Sequence, residues 1–176
     1  MKTLVFDTET TDIIKNSLQS LDRQPRVIEI FALSLDGEGQ EIGSYHSFFN
    51  PGIKISKEVQ AITNIDDSMV KDAPAFRLKA DEIIELIEDH DEVVAHNASF
   101  DTSVMNFEFK RVAKSVQWPS VICTVEATEY MKGHRMKLAD LHEFLFGEKF
   151  SGAHRAENDV RALARCFLKL RELGTV

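Results

Sequence analysis

The feature that most narrows the possible folds is a change of rhythm near residue 90. Before it, apolar runs follow one another as strands: Lys2 to Phe6, Arg26 to Leu35 (RVIEIFALSL) and Gln40 to Phe49. The turn-forming cluster Asp36-Gly37-Glu38-Gly39 joins the last two into a hairpin. Beyond it, strand and helix alternate: a strand at Glu92 to Ala95, a helix over Ala98 to Ala113, and a brief strand at Val121–Cys123 after Pro119. Three helices close the chain, near 125–132, 138–146 and 156–173, the last two stopped by Gly147 and Gly174. Between the halves lie short helical pieces from Ser56 through Met69. A longer one runs from Pro74 to Ile87, with Ile83, Ile84 and Ile87 as its apolar stripe. Residues 8–24 are polar and irregular, closed by Pro25. Hairpins pair antiparallel and alternating units pair parallel. The expected fold is therefore α/β: a mixed five-stranded sheet covered by helices, in one domain over residues 1–176.

With 43% hydrophobic residues, this length buries a sizeable core without a disulfide or structural metal. The two cysteines, Cys123 and Cys166, sit in apolar surroundings and read as free buried thiols of a reducing, cytoplasmic protein. The opening segment MKTLVFDTET lacks the apolar core of a signal peptide, and no apolar run reaches membrane-spanning length. A net charge of −8 speaks against a polyanionic partner, but the charge is unevenly spread. Residues 1–100 hold 9 basic and 19 acidic side chains, whereas residues 101–176 hold 12 basic and 10 acidic ones. Where the acids stand therefore matters more than their total.

Asp7 and Glu9 directly follow the first strand. If extended geometry persists, positions i and i+2 point the same way, and both carboxylates stand at the strand's C-terminal end, where open α/β sheets build their sites. Spacing alone is weak, because Asp36-Gly37-Glu38 repeats it in a solvated turn. Asp101 lies in the first turn of the helix after the fourth strand. A helix N-terminus would itself explain an acid there, and Asn97 suits the N-cap. Asp159 opens the last helix, one turn above Leu163 of the stripe Val160, Leu163, Phe167 and Leu170. His154 precedes it by five positions on a Ser151-Gly152 loop, although His96 and Asp101 share that spacing. Four acids at element ends could be gathered by one sheet. A like-charged pair at about 4 Å repels by roughly 4 kcal/mol at an effective dielectric near 20. All-oxygen ligands suit Mg²⁺ or Mn²⁺ as the cation that would hold such a cluster.

Three segments resemble the three motifs of DEDDh-type 3′→5′ exonucleases: FDTETT at 6–11, VAHNASFD at 94–101 and HRAENDVRAL at 154–163. That family includes the proofreading exonuclease of bacterial DNA polymerase III and stand-alone relatives such as exodeoxyribonuclease X. The resemblance covers residues 2 to about 170. It implies a ribonuclease H-like fold and two-metal hydrolysis of phosphodiesters from a 3′ end. By the same resemblance Asp7, Glu9, Asp101 and Asp159 ligate two ions and His154 is the general base, which leaves His96 structural. The loop after the first strand, where Thr8 and Ile13 sit, resembles the part that in this family touches the last base. Asn97, Arg135, Lys137 and Arg155, with Lys132, are candidates for contact with the incoming strand, while Arg161, Arg165 and Lys169 read as solvated faces. Phe100 is expected to pack beneath the site. Asp12 departs from the family glycine, and Thr63-Asn64 replaces a His-Gly pair, with Asn64 still able to adopt the left-handed backbone.

The expected function is a metal-dependent 3′→5′ exodeoxyribonuclease on single-stranded or frayed DNA, releasing nucleoside 5′-monophosphates. An RNA exonuclease of the same family and a non-catalytic nucleic-acid or polymerase-binding module are the alternatives. No tail after Gly174 indicates a polymerase partner. Two divalent ions would bring the net charge of −8 to about −4, which reconciles the acidity with binding at a strand end.

Overall fold

The computed structural model describes residues 1–16, 18–150, 152 and 154–176; Ser151, in the loop expected before His154, lies outside the described residues. The strands are β1 (Thr3–Thr10), β2 (Val27–Leu35), β3 (Glu41–Phe48), β4 (Glu92–Ala95) and β5 (Ser120–Cys123). They form one sheet in the order β3-β2-β1-β4-β5. The β1–β2 and β2–β3 pairs are antiparallel, whereas β1–β4 and β4–β5 are parallel. The change of rhythm along the chain is thus a change of pairing within a single sheet. Asp36 makes the hairpin turn, its Oδ1 accepting from the N–H groups of Glu38 and Gln40.

Helices α1 (Lys57–Thr63), α2 (Asp67–Val70), α3 (Ala80–Glu88), α4 (Ala98–Arg111), α5 (Thr124–Lys132), α6 (Leu138–Phe146) and α7 (Ala156–Glu172) complete the fold. The period of two along a strand divides the core into two layers. Leu4 and Phe6 of β1, with Ile30 and Ala32 of β2, face α3 and α4 through Ile83, Ile87, Val104, Met105 and Phe109. Val5, Phe31 and Leu33 face the other way, onto Val160, Leu163 and Phe167 of α7. Helix α6 packs outside α7 through Leu141, Cys166 and Leu170. This alternation decides which helix each polar residue at the strand ends will meet.

Three local expectations need correction. Strand β1 continues to Thr10 instead of ending at Phe6, because Asp7, Thr8 and Glu9 stay paired with Phe31, Ile30 and Glu29 of β2. The helix expected from Pro74 begins at Ala80. Pro74 offers its carbonyl to the N–H of Asn50, and a 3₁₀ turn at Phe76–Leu78 buries Phe76 against Phe49 and Phe109, so tertiary contacts override the helix-start signal. Of the two free cysteines only Cys166 is fully buried; Cys123 is half-buried. Asn64 does adopt the left-handed backbone, at φ 56°. Among the described residues no helix is long and apolar enough to cross a membrane.

Candidate active site

Asp7 and Glu9 share the parity of Val5, so both project on the α7 side of β1, while Thr8 projects toward α4. Asp159 lies in the first turn of α7. One carboxylate oxygen from each of Asp7, Glu9 and Asp159 lies within 4.8 Å of the other two. On the opposite side, the parallel β1–β4 pairing delivers the start of α4 beneath Thr8. Asp101 is buried there, and its Oδ1 accepts from Thr8 N at 3.1 Å and from Thr8 Oγ1 at 2.7 Å. The four acids therefore meet from two faces of one strand. They line an open cleft of about 470 Å³ with His154, Asn97, Phe100, Arg135 and Lys137.

Crowding and desolvation hold these carboxyls toward their protonated forms. Asp7 is raised well above the carboxylate range by burial first, then by the charges of Asp101, Glu9, Asp159 and Glu29. Glu9 is pushed up to about 8 by burial and by Asp159, Glu29 and Asp101, with Arg155 opposing. Burial lifts Asp101 to about 7 against the hydrogen bonds from Thr8, and lifts Asp159 against the N–H of His154. Acids in this condition need protons or cations. Oxygen donors without sulfur fit a hard divalent cation.

The two histidines differ sharply. His96 is clasped between Thr124 Oγ1 at 2.9 Å and the carbonyl of Met136 at 3.0 Å, and burial pushes it down to about 4. A carbonyl only accepts, so Nε2 carries the proton and Nδ1 accepts from the hydroxyl. His154 is exposed at the cleft, with a left-handed backbone at φ 66° and its N–H donated to Asp159 Oδ2 at 2.8 Å. Such a conformation in a non-glycine residue is costly, and it turns this loop directly into α7.

Not every expected contact residue faces the cleft freely. Asn97 occupies the N-cap position with φ 72°, but its side chain does not cap; Oδ1 accepts from Arg135 Nη2 at 3.0 Å. Lys132 lies over the ring of Phe144. Arg161, Arg165 and Lys169 pair with Glu157, Glu148 and Glu172 on the surface. Ile13 is exposed and lines an adjoining cleft of about 620 Å³ with Thr8, Glu9, Ile62, Thr63 and Phe100. Phe100 stands at the junction of both clefts. Arg155 is bound to Glu29 through Nε at 3.3 Å and Nη2 at 3.1 Å. Glu29 was not foreseen from the sequence. An acid inside the otherwise apolar run RVIEIFALSL is the signal that marks it.

The family model described as Exonuclease matches residues 4–167. DNA polymerase III PolC-type of Caldanaerobacter subterraneus subsp. tengcongensis is 34% identical over 171 residues, covering 96% of this chain and 11% of that protein. The chain thus spans about a ninth of the length of that curated relative. Exonuclease X in complex with 5′ overhanging duplex DNA shares the fold at a TM-score of 0.66 and 22% identity, over 98% of this chain and 93% of that one. The nuclease domain of 3′hExo, described as a DEDDh family member bound to rAMP, gives 0.78 at 14% identity, over 99% of this chain and 93% of that one.

Proposed function

The chain belongs to the exonuclease family whose model it matches over residues 4–167, and we propose that it is a member of DEDDh type that removes nucleotides from the 3′ end of DNA, single-stranded or frayed, as nucleoside 5′-monophosphates. The observation that carries this reading is the convergence of Asp7, Glu9 and Asp159 within 4.8 Å, beside Asp101 and at the mouth of a cleft. In this reading Asp7, Glu9, Asp101 and Asp159 hold two divalent ions, Mg²⁺ or Mn²⁺. Such ions supply Lewis-acid stabilisation of the phosphate and an acidified water.

The protein's own groups do the rest. The His154 imidazole, exposed at the cleft, takes a proton of the attacking water on a ring nitrogen as the water oxygen bonds to phosphorus and the P–O3′ bond breaks. The departing 3′ oxygen gains a proton from solvent, to which His154 returns its own. Asp159 keeps His154 in place by accepting its N–H on Oδ2, and its Oδ1, free of that contact, would be available to a cation. Thr8 orients Asp101 and leaves Asp101 Oδ2 free of that contact. Arg135 and Lys137 stand on the basic rim, where the backbone phosphates of the strand would pass, and Asn97 steadies Arg135. The clefts beside Thr8 and Ile13 receive the terminal nucleotide. DNA is favoured over RNA because the 34% identical relative is a DNA polymerase. Free thiols at Cys123 and Cys166 accord with a reducing cytoplasm.

A product ladder tests this reading. The purified chain is given 5′-labelled DNA and RNA oligonucleotides with Mn²⁺ or Mg²⁺, with chelator, and as the Asp7→Ala variant. Shortening of DNA from the 3′ end, lost with chelator and with Asp7→Ala, is expected. Preferential shortening of RNA would replace the substrate. Binding without shortening would leave a non-catalytic module.

A further inference from the structure

Glu29 is the fifth carboxylate of the region, but it does not line the cleft. Its side chain is 1% exposed, and strand register sets it directly opposite Glu9. Both of its oxygens are committed. Oε1 accepts from His46 Nε2 at 2.9 Å and Arg155 Nη2 at 3.1 Å, and Oε2 accepts from Arg155 Nε and from the N–H of Ala156, the first residue of α7. We propose that Glu29 and Arg155 form a positioning pair that sets where His154 and Asp159 stand at the site; this rests on the functional reading above.

The chain of contacts is short. Arg155 lies between His154 and the helix that carries Asp159, and its carbonyl accepts the N–H of Asp159. His154 holds its left-handed backbone only while its surroundings over-determine it. Among the described residues its hydrogen bond is to Asp159 Oδ2, so moving the start of α7 moves both groups together. The pair is well suited to prevent that. A guanidinium edge meeting both oxygens of a carboxylate fixes orientation as well as distance. Separating them would leave Glu29 charged and buried without its cation, which is strongly unfavourable. Arg155 then acts through His154 and Asp159 and is not spent on a substrate phosphate.

Glu29→Gln, Arg155→Lys and the double variant Glu29→Gln/Arg155→Lys decide the matter. Each single variant is expected to lower kcat about 10–100-fold with KM within about twofold, the usual reach of an outer-shell partner. The double variant is expected to be no worse than the poorer single, because one contact is removed twice. Amide hydrogen exchange supplies a readout independent of turnover. The N–H groups of His154 and Asp159 should exchange at least about tenfold faster in both variants, while the strand amides of β4 keep their protection. Losses that multiply in the double variant would overturn the pairing. A rise in KM alone for Arg155→Lys would return Arg155 to the substrate, and unchanged exchange at His154 would show that the arm is held by something else. If Glu29→Gln does not fold, Arg155→Lys, which keeps the charge, decides on the same readouts. A wild-type chain that shortens no oligonucleotide would defeat the functional reading, and the exchange experiment would still judge the pair.

Discussion

Thr8 holds Asp101 twice, its backbone N–H and its hydroxyl both donating to Oδ1 in a buried setting. These bonds join the first strand to a helix more than ninety residues later in the chain, and they oppose the burial that lifts Asp101 to about 7. Thr8→Val keeps the shape and removes the hydroxyl. The expected cost is about 1–2 kcal/mol, which in a chain this size lowers Tm by roughly 2–8 °C at about 2–4 °C per kcal/mol. A melt of the metal-free protein checks it; an unchanged midpoint would show that the hydroxyl contributes nothing.

Acidity and metal should be linked in one direction. Glu9 sits at about 8 and Asp101 at about 7 in the folded chain, against ordinary values of 4.5 and 3.8. Between those limits the folded form holds protons that the unfolded form has released. The stabilising effect of that uptake is complete below about pH 4 and is lost as pH rises toward 8. Cations compete for the same oxygens, so Mn²⁺ should stabilise more at pH 8 than at pH 5.5. Near a hundredfold excess over Kd the gain is about 2.7 kcal/mol, or roughly 5–10 °C at pH 8. Melts in chelator and in Mn²⁺ at the two pH values test this, and an equal gain at both would refute it.

His154 separates function from stability. His154→Gly removes the imidazole and suits the left-handed backbone at φ 66°. Relief of strain and the greater freedom of unfolded glycine roughly cancel, so stability should stay within about 1 kcal/mol. Activity should fall about 10²–10⁴-fold, the typical share of a general base. A denaturant titration beside the product ladder reads both quantities. Loss of stability without loss of turnover would mean that the loop, and not the imidazole, is what matters.

The basic rim should show itself through salt. Arg135→Ala and Lys137→Ala are expected to raise KM for a single strand severalfold with little change in kcat. Each should also flatten the dependence of log K on log salt by about 0.7. Binding isotherms at several ionic strengths measure it. An unchanged slope would place these side chains outside the path of the strand.

Much of this fold is legible residue by residue. Val5, Asp7 and Glu9 share one parity and Leu4, Phe6 and Thr8 the other, so the side of β1 on which each acid stands follows from position alone. The α6 boundaries, Leu138 to Phe146, follow from the apolar spacing and from Gly147. Pro74 misleads because its carbonyl and the neighbouring Phe76 answer to residues distant in the chain. Asn97 misleads likewise, since Arg135 takes the oxygen that would have capped α4.

Local chemistry by itself determined most of the strands and helices, the shared parity of Asp7 and Glu9 along their strand, and the family motifs, because periods of two and 3.6 and capping preferences act within a few residues. Tertiary structure alone decided which elements became neighbours. It clasped His96 between Thr124 and Met136 in the wall of the cleft and left His154 exposed there. It also set Glu29 against Glu9 and Arg155. Strand order and register come from pairing and packing between distant segments, and a one-residue slip would have turned each of those acids to the opposite face.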